Sequence, residues 1–166
     1  AMTYAPPGFE AKICQPQRLT AAALQLPRPL VFTNGCFDIL HRGHVTYLAQ
    51  AAALGPLPSP AVDGSAARRR PPAPGTLARK GLADRLAVMA ALECVTLVTW
   101  FDEDTPLQAI LACRPEVLVK GGDWPADRIV GSGEVLGWGG AVHSIPFLHP
   151  TSTTALLDKV RRLQAP

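Results

Sequence analysis

The sequence has few of the features that mark membrane, disulfide-rich or disordered proteins. Among its 166 residues no apolar run approaches the ~18 residues that a membrane-spanning helix needs. The four cysteines are scattered and form no CxxC pair, which argues against a zinc knuckle or a disulfide framework and favours a reducing cytoplasm. Only 17% of the residues are charged and 48% are apolar, so a folded domain with a core is expected.

The excess of basic charge is confined to one segment. Residues 56–83 hold a single acid, Asp63, and five basic residues, which are Arg68, Arg69, Arg70, Arg79 and Lys80. Aromatic residues do not alternate with these arginines, as they do on many nucleic-acid-binding surfaces. We therefore expect neither a nucleic acid nor a membrane as partner.

Short apolar runs alternate with amphipathic segments along most of the chain. Strands are predicted at residues 30–33, 95–101, 117–119 and 141–146, and helices at 17–26, 44–54, 84–94, 105–113, 128–138 and 154–163. The alternation predicts an α/β fold, a Rossmann-like doubly wound parallel sheet in one three-layer domain at residues 30–163. Residues 1–29 are a lead-in with a short helix. Ligands bind such sheets beyond the carboxyl ends of the strands.

Residues 56–83 interrupt this alternation. The βαβ order requires a strand soon after Gly55, but the segment carries six prolines in 28 residues. Because proline is not tolerated within a central strand, the composition predicts an irregular basic loop, either disordered or a lid over phosphates. A sequence read out of frame from a GC-rich gene is a third explanation of the same composition.

The stretch NGCFDILHRGH at residues 34–44 follows the first predicted strand and places His41 and His44 around Gly43. A zinc site would need further ligands, and His143 and His149 lack the spacing of a metal motif. Histidines that only cap the helix are another alternative. Phosphate binding explains more, because a helix start offers free N–H groups, glycine allows close approach and imidazoles stabilise charge on phosphate oxygens.

Two further polar clusters follow predicted strands. One is Lys120 to Trp124 (KGGDW) and the other lies at residues 149–154, with Ser152, Thr153 and Thr154. Taken alone, these are a solvated strand-end lysine and an ordinary helix cap. Since the carboxyl ends of parallel strands meet at one edge, we expect both clusters to lie near residues 34–44.

The stretch TNGCFDILHRGHVTYL resembles the signature of the nucleotidyltransferase superfamily, which carries HxGH after its first strand. With ALECV, FDEDTP, RPEVLVKGGDW and HSIPFLHPTSTTALL, it resembles the bacterial D-glycero-β-D-manno-heptose 1-phosphate adenylyltransferases over residues 11–54 and 84–163. The resemblance implies transfer of AMP from ATP to the sugar phosphate, giving ADP-heptose and pyrophosphate for lipopolysaccharide inner-core biosynthesis. The chain would be a stand-alone adenylyltransferase, with no room for the kinase fused to it in some bacteria. Alternatives are a cytidylyltransferase acting on a small alcohol phosphate and a non-catalytic nucleotide-binding module.

The resemblance also implies a role for each matching residue. The catalytic residues would be His41, His44 and Lys120. The nucleotide and its phosphates would be bound by Asn34, Gly35, Cys36, Phe37, Gly43, Ser152, Thr153 and Thr154. The sugar phosphate or the pocket wall would be contacted by Asp38, Arg85, Gly121, Gly122, Asp123 and Trp124, with a structural salt bridge as the alternative for Arg85. Mg²⁺ bound mainly through the ATP phosphates, no direct protein cage for a metal, and a homodimer are implied as well.

The chain departs from the family between residues 57 and 70. The family has an apolar strand there, followed by V-N-S-D-A-S-V-R-R-L, and this chain has PSPAVDGSAARRR. Asp63 stands where the family has Asn, and Ser65 where it has Asp. We therefore expect the second strand of the family's sheet to be lost.

Overall fold

The computed structural model describes residues 4–35, 37, 39–56, 61–65, 81–149 and 162. Within them, the strands are β1 (Val31–Gly35), β2 (Ala61–Ser65), β3 (Leu97–Thr99), β4 (Val117–Gly121) and β5 (Ala141–Ile145). The helices are α1 (Leu19–Leu24), α2 (Arg42–Ala52), α3 (Leu82–Ala90), α4 (Leu107–Cys113) and α5 (Ser132–Gly137). Short 3₁₀ turns lie at Gly8–Lys12, Pro16–Arg18 and Ala126–Arg128. None of the described helices has the length and apolarity needed to cross a membrane.

The strands form one parallel sheet in the order β3-β2-β1-β4-β5, with helices on both faces. On one face Phe32 and Leu118 pack in a cluster with residues of α1, α4 and α5. On the other face Val31 and Val119 pack with residues of α2 and α3. Adjacent residues of one strand thus enter opposite cores, as expected of a sheet covered on both sides. The predicted α/β fold is confirmed.

β2 corrects the prediction for residues 56–83. Ala61–Ser65 pair with Val31–Gly35 on one side and with β3 on the other. The expectation of an irregular loop throughout the segment, and of a lost second strand, is therefore wrong for these five residues. The six prolines lie before residue 61 or after residue 65, so none of them removes an N–H from the ladder. Residues 57–60 and 66–80 lie outside the described residues, so a basic lid there stays a prediction.

Other predicted elements are present with shifted ends. The predicted helix at 128–138 is two elements, the 3₁₀ turn Ala126–Arg128 and α5, separated by Gly131 in the left-handed region at φ 86°. α4 begins after Pro106, which occupies its N-cap position without a side-chain hydrogen bond. The helix predicted at 154–163 lies outside the described residues except for residue 162.

Residues before β1 pack closely on the sheet. Ile13 forms a parallel bridge with Val98 of β3, and the Cys14 N–H donates to the Val98 carbonyl at 2.7 Å. Leu19 and Ala23 of α1 are almost fully buried against the side of the sheet that carries α4.

Glu116 links this lead-in to the sheet just before β4. Its carboxylate accepts hydrogen bonds from the buried Leu30 N–H at 2.6 Å and from Arg28 Nη1 at 3.1 Å. Burial acts to raise the pKa of Glu116, but the hydrogen bonds from Leu30 and Arg28 outweigh it and lower the pKa below the ordinary value. Both charged side chains are more than a third exposed, so the ion pair itself adds little and the Leu30 hydrogen bond adds more.

We predict that Glu116→Ala lowers the free energy of unfolding by about 1–3 kcal/mol, because the buried Leu30 N–H loses its acceptor. Urea unfolding at neutral pH measures the loss, with Glu103→Ala, an exposed acid, as the control. A carboxyl with a lowered folded-state pKa stabilises above its ordinary pKa of 4.5 and loses this contribution as the pH falls further. The difference between the two proteins should therefore shrink below pH 4.5, and equal urea midpoints at neutral pH would contradict the assignment.

Candidate active site

The carboxyl ends of β1 and β4 lie side by side and form the floor of a cavity of about 310 Å³. The cavity is lined by Asn34, Gly35, Phe37, His44, Tyr47, Lys120, Gly121, Gly122, Trp124 and Phe147. Parallel pairing of the two strands thus brings the residues that follow each of them to one site. As expected from the sequence, residues of the 34–44 stretch and of the KGGDW cluster line this site together.

His41 stands at the N-cap of α2 and its Nδ1 accepts a hydrogen bond from the Gly43 N–H at 3.1 Å. His41 therefore caps the helix, as one alternative from the sequence proposed, and it does so through Nδ1 alone. Because Nδ1 is an acceptor, the neutral ring carries its proton on Nε2, which stays available as a donor. The His41 and His44 rings lie 3.9 Å apart between centroids, at an angle of 31°.

His44 sits in an apolar setting that keeps it uncharged. The edges of Phe37 and Phe147 approach it with centroid distances of 5.3 Å and 6.1 Å. Burial first, and then the nearby His41, lower the pKa of His44 to about 4, while the Ile39 carbonyl acts weakly in the other direction. Burial also lowers the pKa of His41. At neutral pH both imidazoles of the unliganded site are therefore neutral, and Lys120 provides the positive charge.

Gly43 is enclosed by protein atoms. A Cβ at this position would lie 2.7 Å from the His149 carbonyl oxygen and 3.0 Å from Nδ1 of His41. The absent side chain lets the start of α2 pack against the segment that follows β5. Sequence reasoning assigned Gly43 to close approach of an anion, and the structure adds this packing requirement.

The loop after β4 is held in shape by β5. The Trp124 N–H donates to Ser144 Oγ at 3.0 Å, and that hydroxyl donates to the Gly122 carbonyl. Gly122 has φ of 104°, a conformation that favours glycine, and a Cβ there would meet Trp124 Nε1 at 2.9 Å. These constraints place Trp124, which is half exposed, on the cavity wall.

Several predicted site residues do not line this cavity. Among the described residues, His41 and Gly43 lie at the start of α2 and are not part of the lining. Asp123 is exposed beside the cavity, and Arg85 is buried on α3 away from its lining. Cys36, Asp38, Ser152, Thr153 and Thr154 lie outside the described residues, and their roles stay predictions.

Sequence reasoning missed Tyr47 and Phe147. The Tyr47 hydroxyl hydrogen-bonds with Thr33 Oγ1 and reaches the Val119 carbonyl at 3.4 Å, so it links α2 to both β1 and β4. Its position three residues after His44, on the same helix face, was the available signal. Phe147 approaches both His44 and Tyr47, and no spacing rule marks it.

Metal-binding groups are sparse in the part of the chain that the structure describes. No three side chains of His, Cys, Asp or Glu there come together as a metal site would need. The described lining of the cavity contains no carboxylate. Mg²⁺ prefers carboxylate and other oxygen ligands, so the described lining by itself does not fit direct coordination of Mg²⁺.

Comparison with known proteins identifies the family. The model of the cytidylyltransferase-like family matches residues 32–153, and the chain belongs to this family of nucleotidyltransferases. It is 50% identical over 156 residues to D-beta-D-heptose 1-phosphate adenylyltransferase of Bordetella bronchiseptica, which covers 93% of this chain and 96% of that protein. It is 44% identical over 135 residues to the bifunctional protein HldE of Hahella chejuensis, of which it spans only 28%.

A solved structure supports the fold alone. The lipopolysaccharide core biosynthesis protein from Thermoplasma volcanium superimposes with a TM-score of 0.55 at 22% identity, over 73% of this chain and 97% of that one.

We predict that Gly43→Ala lowers stability by about 1–3 kcal/mol, because the added methyl overlaps the His149 carbonyl. Gly133→Ala in α5 is the matched control, since a Cβ there meets nothing within 4 Å and alanine is the better helix former. Thermal unfolding of the two variants decides the matter. A Gly43→Ala protein as stable as Gly133→Ala would show that the start of α2 has room for a side chain.

Proposed function

We propose that the chain is an adenylyltransferase that moves AMP from ATP to D-glycero-β-D-manno-heptose 1-phosphate. The products are ADP-heptose, for lipopolysaccharide inner-core biosynthesis, and pyrophosphate. One observation carries the proposal: His44 and Lys120 meet at the carboxyl edge of the sheet in a chain half identical, over nearly its whole length, to a heptose 1-phosphate adenylyltransferase.

The reaction requires alignment more than proton transfer. The second pKa of a phosphate monoester is about 6, so the acceptor is already mostly dianionic at neutral pH. Its oxygen forms a bond to the α-phosphorus of ATP, while the bond to the bridging oxygen breaks and pyrophosphate leaves with the electron pair. No general base is needed, which agrees with a described cavity lining that contains no carboxylate.

The barrier is repulsion between anions, and the site counters it with donors and positive charge. Lys120 stands at the end of β4 on the cavity wall, where its ammonium neutralises developing charge. His44 donates a hydrogen bond to a phosphate oxygen, and bound polyphosphate raises its pKa by opposing the effect of burial. The positive end of the α2 helix dipole adds to the same potential.

Phe37 and Phe147 strengthen these electrostatic interactions indirectly. Their rings flank His44 and reduce the water around it. Each hydrogen bond to phosphate is therefore worth more than it would be in solvent.

Mg²⁺ is part of the proposal as a companion of ATP. It would be held by phosphate oxygens and water, and would supply further charge neutralisation when bound.

A homodimer and a cytoplasmic location complete the proposal. Among the described residues, Cys14, Cys94 and Cys113 are not joined in disulfides, a state that a reducing compartment maintains. The homodimer rests on the family resemblance.

We predict that His44→Ala lowers the turnover rate by about 10²–10³-fold, the usual cost of losing one donor to developing charge. His143→Ala is the matched control, because His143 is exposed on β5 and does not line the cavity. Pyrophosphate release at saturating substrates measures both. Near-normal turnover of a folded His44→Ala protein would remove His44 from the mechanism.

Substrate pairs separate this function from its rivals. A cytidylyltransferase acting on a small alcohol phosphate is the second candidate, and the name of the matching family favours it. We expect pyrophosphate release with ATP and heptose 1-phosphate, and little with CTP and glycerol 3-phosphate. The reverse preference would establish the second candidate, and calorimetric ATP binding without pyrophosphate release from any pair would establish a non-catalytic module.

A further inference from the structure

A second cavity of about 190 Å³ adjoins the first one. The two cavities share Asn34, Lys120 and Trp124 as a common wall. The other residues that line the second cavity are Pro106, Arg128, Ile129 and Val130. We call it the side cavity, and the larger one the main cavity.

The two cavities differ in chemistry. The main cavity carries the rings of Phe37, His44 and Phe147 and has the greater volume, which suits a nucleoside. Apart from the shared Trp124, the side cavity has aliphatic walls, and it carries two cationic side chains, Lys120 and Arg128, with no carboxylate among its described lining. Such a cavity attracts a small anion.

Arg128 has an unsatisfied side chain on a well-anchored backbone. Within the described residues its guanidinium has neither a hydrogen-bond partner nor an ion pair. Its own N–H donates to the Pro125 carbonyl at 2.9 Å, and the next residue, Ile129, is 7% exposed and belongs to the core. Arg128 is exposed and lines the cavity, so its five N–H donors are available to a ligand there.

A transfer between two bound phosphates needs the attacking oxygen and the α-phosphorus within about 3.5 Å of each other. Two substrates in adjacent cavities meet at the wall that the cavities share, and Lys120 stands in that wall. We propose that the side cavity is the acceptor subsite and that Arg128 and Lys120 together hold the phosphate of a sugar 1-phosphate there. This inference rests on the proposed function and makes Arg128 a specificity-determining residue for the acceptor.

Substitution of Arg128 tests the inference in steady-state kinetics of pyrophosphate release. Arg128→Ala should raise the KM for heptose 1-phosphate about tenfold to a hundredfold, the cost of one charge-assisted contact, and leave the KM for ATP within about twofold. Arg128→Lys should raise this KM less, because lysine keeps the positive charge but lacks the paired N–H donors of the guanidinium. Arg18→Ala, an exposed arginine that lines neither cavity, should match the wild type.

The outcomes separate the inference from the function on which it rests. A wild-type protein that releases no pyrophosphate with any sugar 1-phosphate would overturn the proposed function. If the wild type is active and Arg128→Ala leaves the acceptor KM unchanged, the side cavity is not the acceptor subsite. A rise in the KM for ATP instead would place the nucleotide there and overturn the inference equally. Unfolding temperatures equal to the wild type show that each effect is local.

Discussion

The parallel pairing of β1 with β4 is the constraint on which the site depends. It is the crossover point of the sheet, because the chain leaves β1 toward β2 and β3 and returns on the other side as β4 and β5. Helices cannot cover the gap between the two carboxyl ends at such a point, so a cleft remains. The imidazole of His44 and the ammonium of Lys120 come from segments about 80 residues apart, and this one pairing brings them together.

The same packing determines the chemistry of the imidazoles. Aromatic rings of the cavity wall enclose His44. This burial lowers the pKa of His44, so the imidazole is not protonated at neutral pH. A charged histidine would attract phosphate more strongly, but it needs a compensating charge that the unliganded site does not offer and a bound phosphate does. The arrangement divides the work between an imidazole that is neutral before phosphate binds and a lysine that carries charge at the end of a strand.

The fold could be read from the sequence where strands are buried on both faces. Runs such as Leu30 to Thr33 and Val117 to Val119 are apolar throughout, and they are central in the sheet. β2 could not be read in this way, since Ala61–Ser65 contains one large apolar residue and lies among prolines. These residues form a strand because they pair with β1 and β3, and a local sequence pattern does not show such pairing.

The site was readable where its residues form a motif or stand at the end of a predicted strand. His41, Gly43 and His44 form a motif, and Lys120 follows a strand. Phe147 and Arg128 reach the cavities through tertiary packing, and no spacing within the sequence connects them to the histidines.

The bridge between Ile13 and Val98 has a consequence for how the domain is delimited. β3 is an edge of the described sheet, and residues 13 and 14 occupy hydrogen-bonding positions along that edge. The family match begins at residue 32, so a boundary drawn there would discard this cover together with Leu19 and Ala23 of the core. The shortened chain would present an open strand and an uncovered apolar surface, the two features that lead folded domains to aggregate.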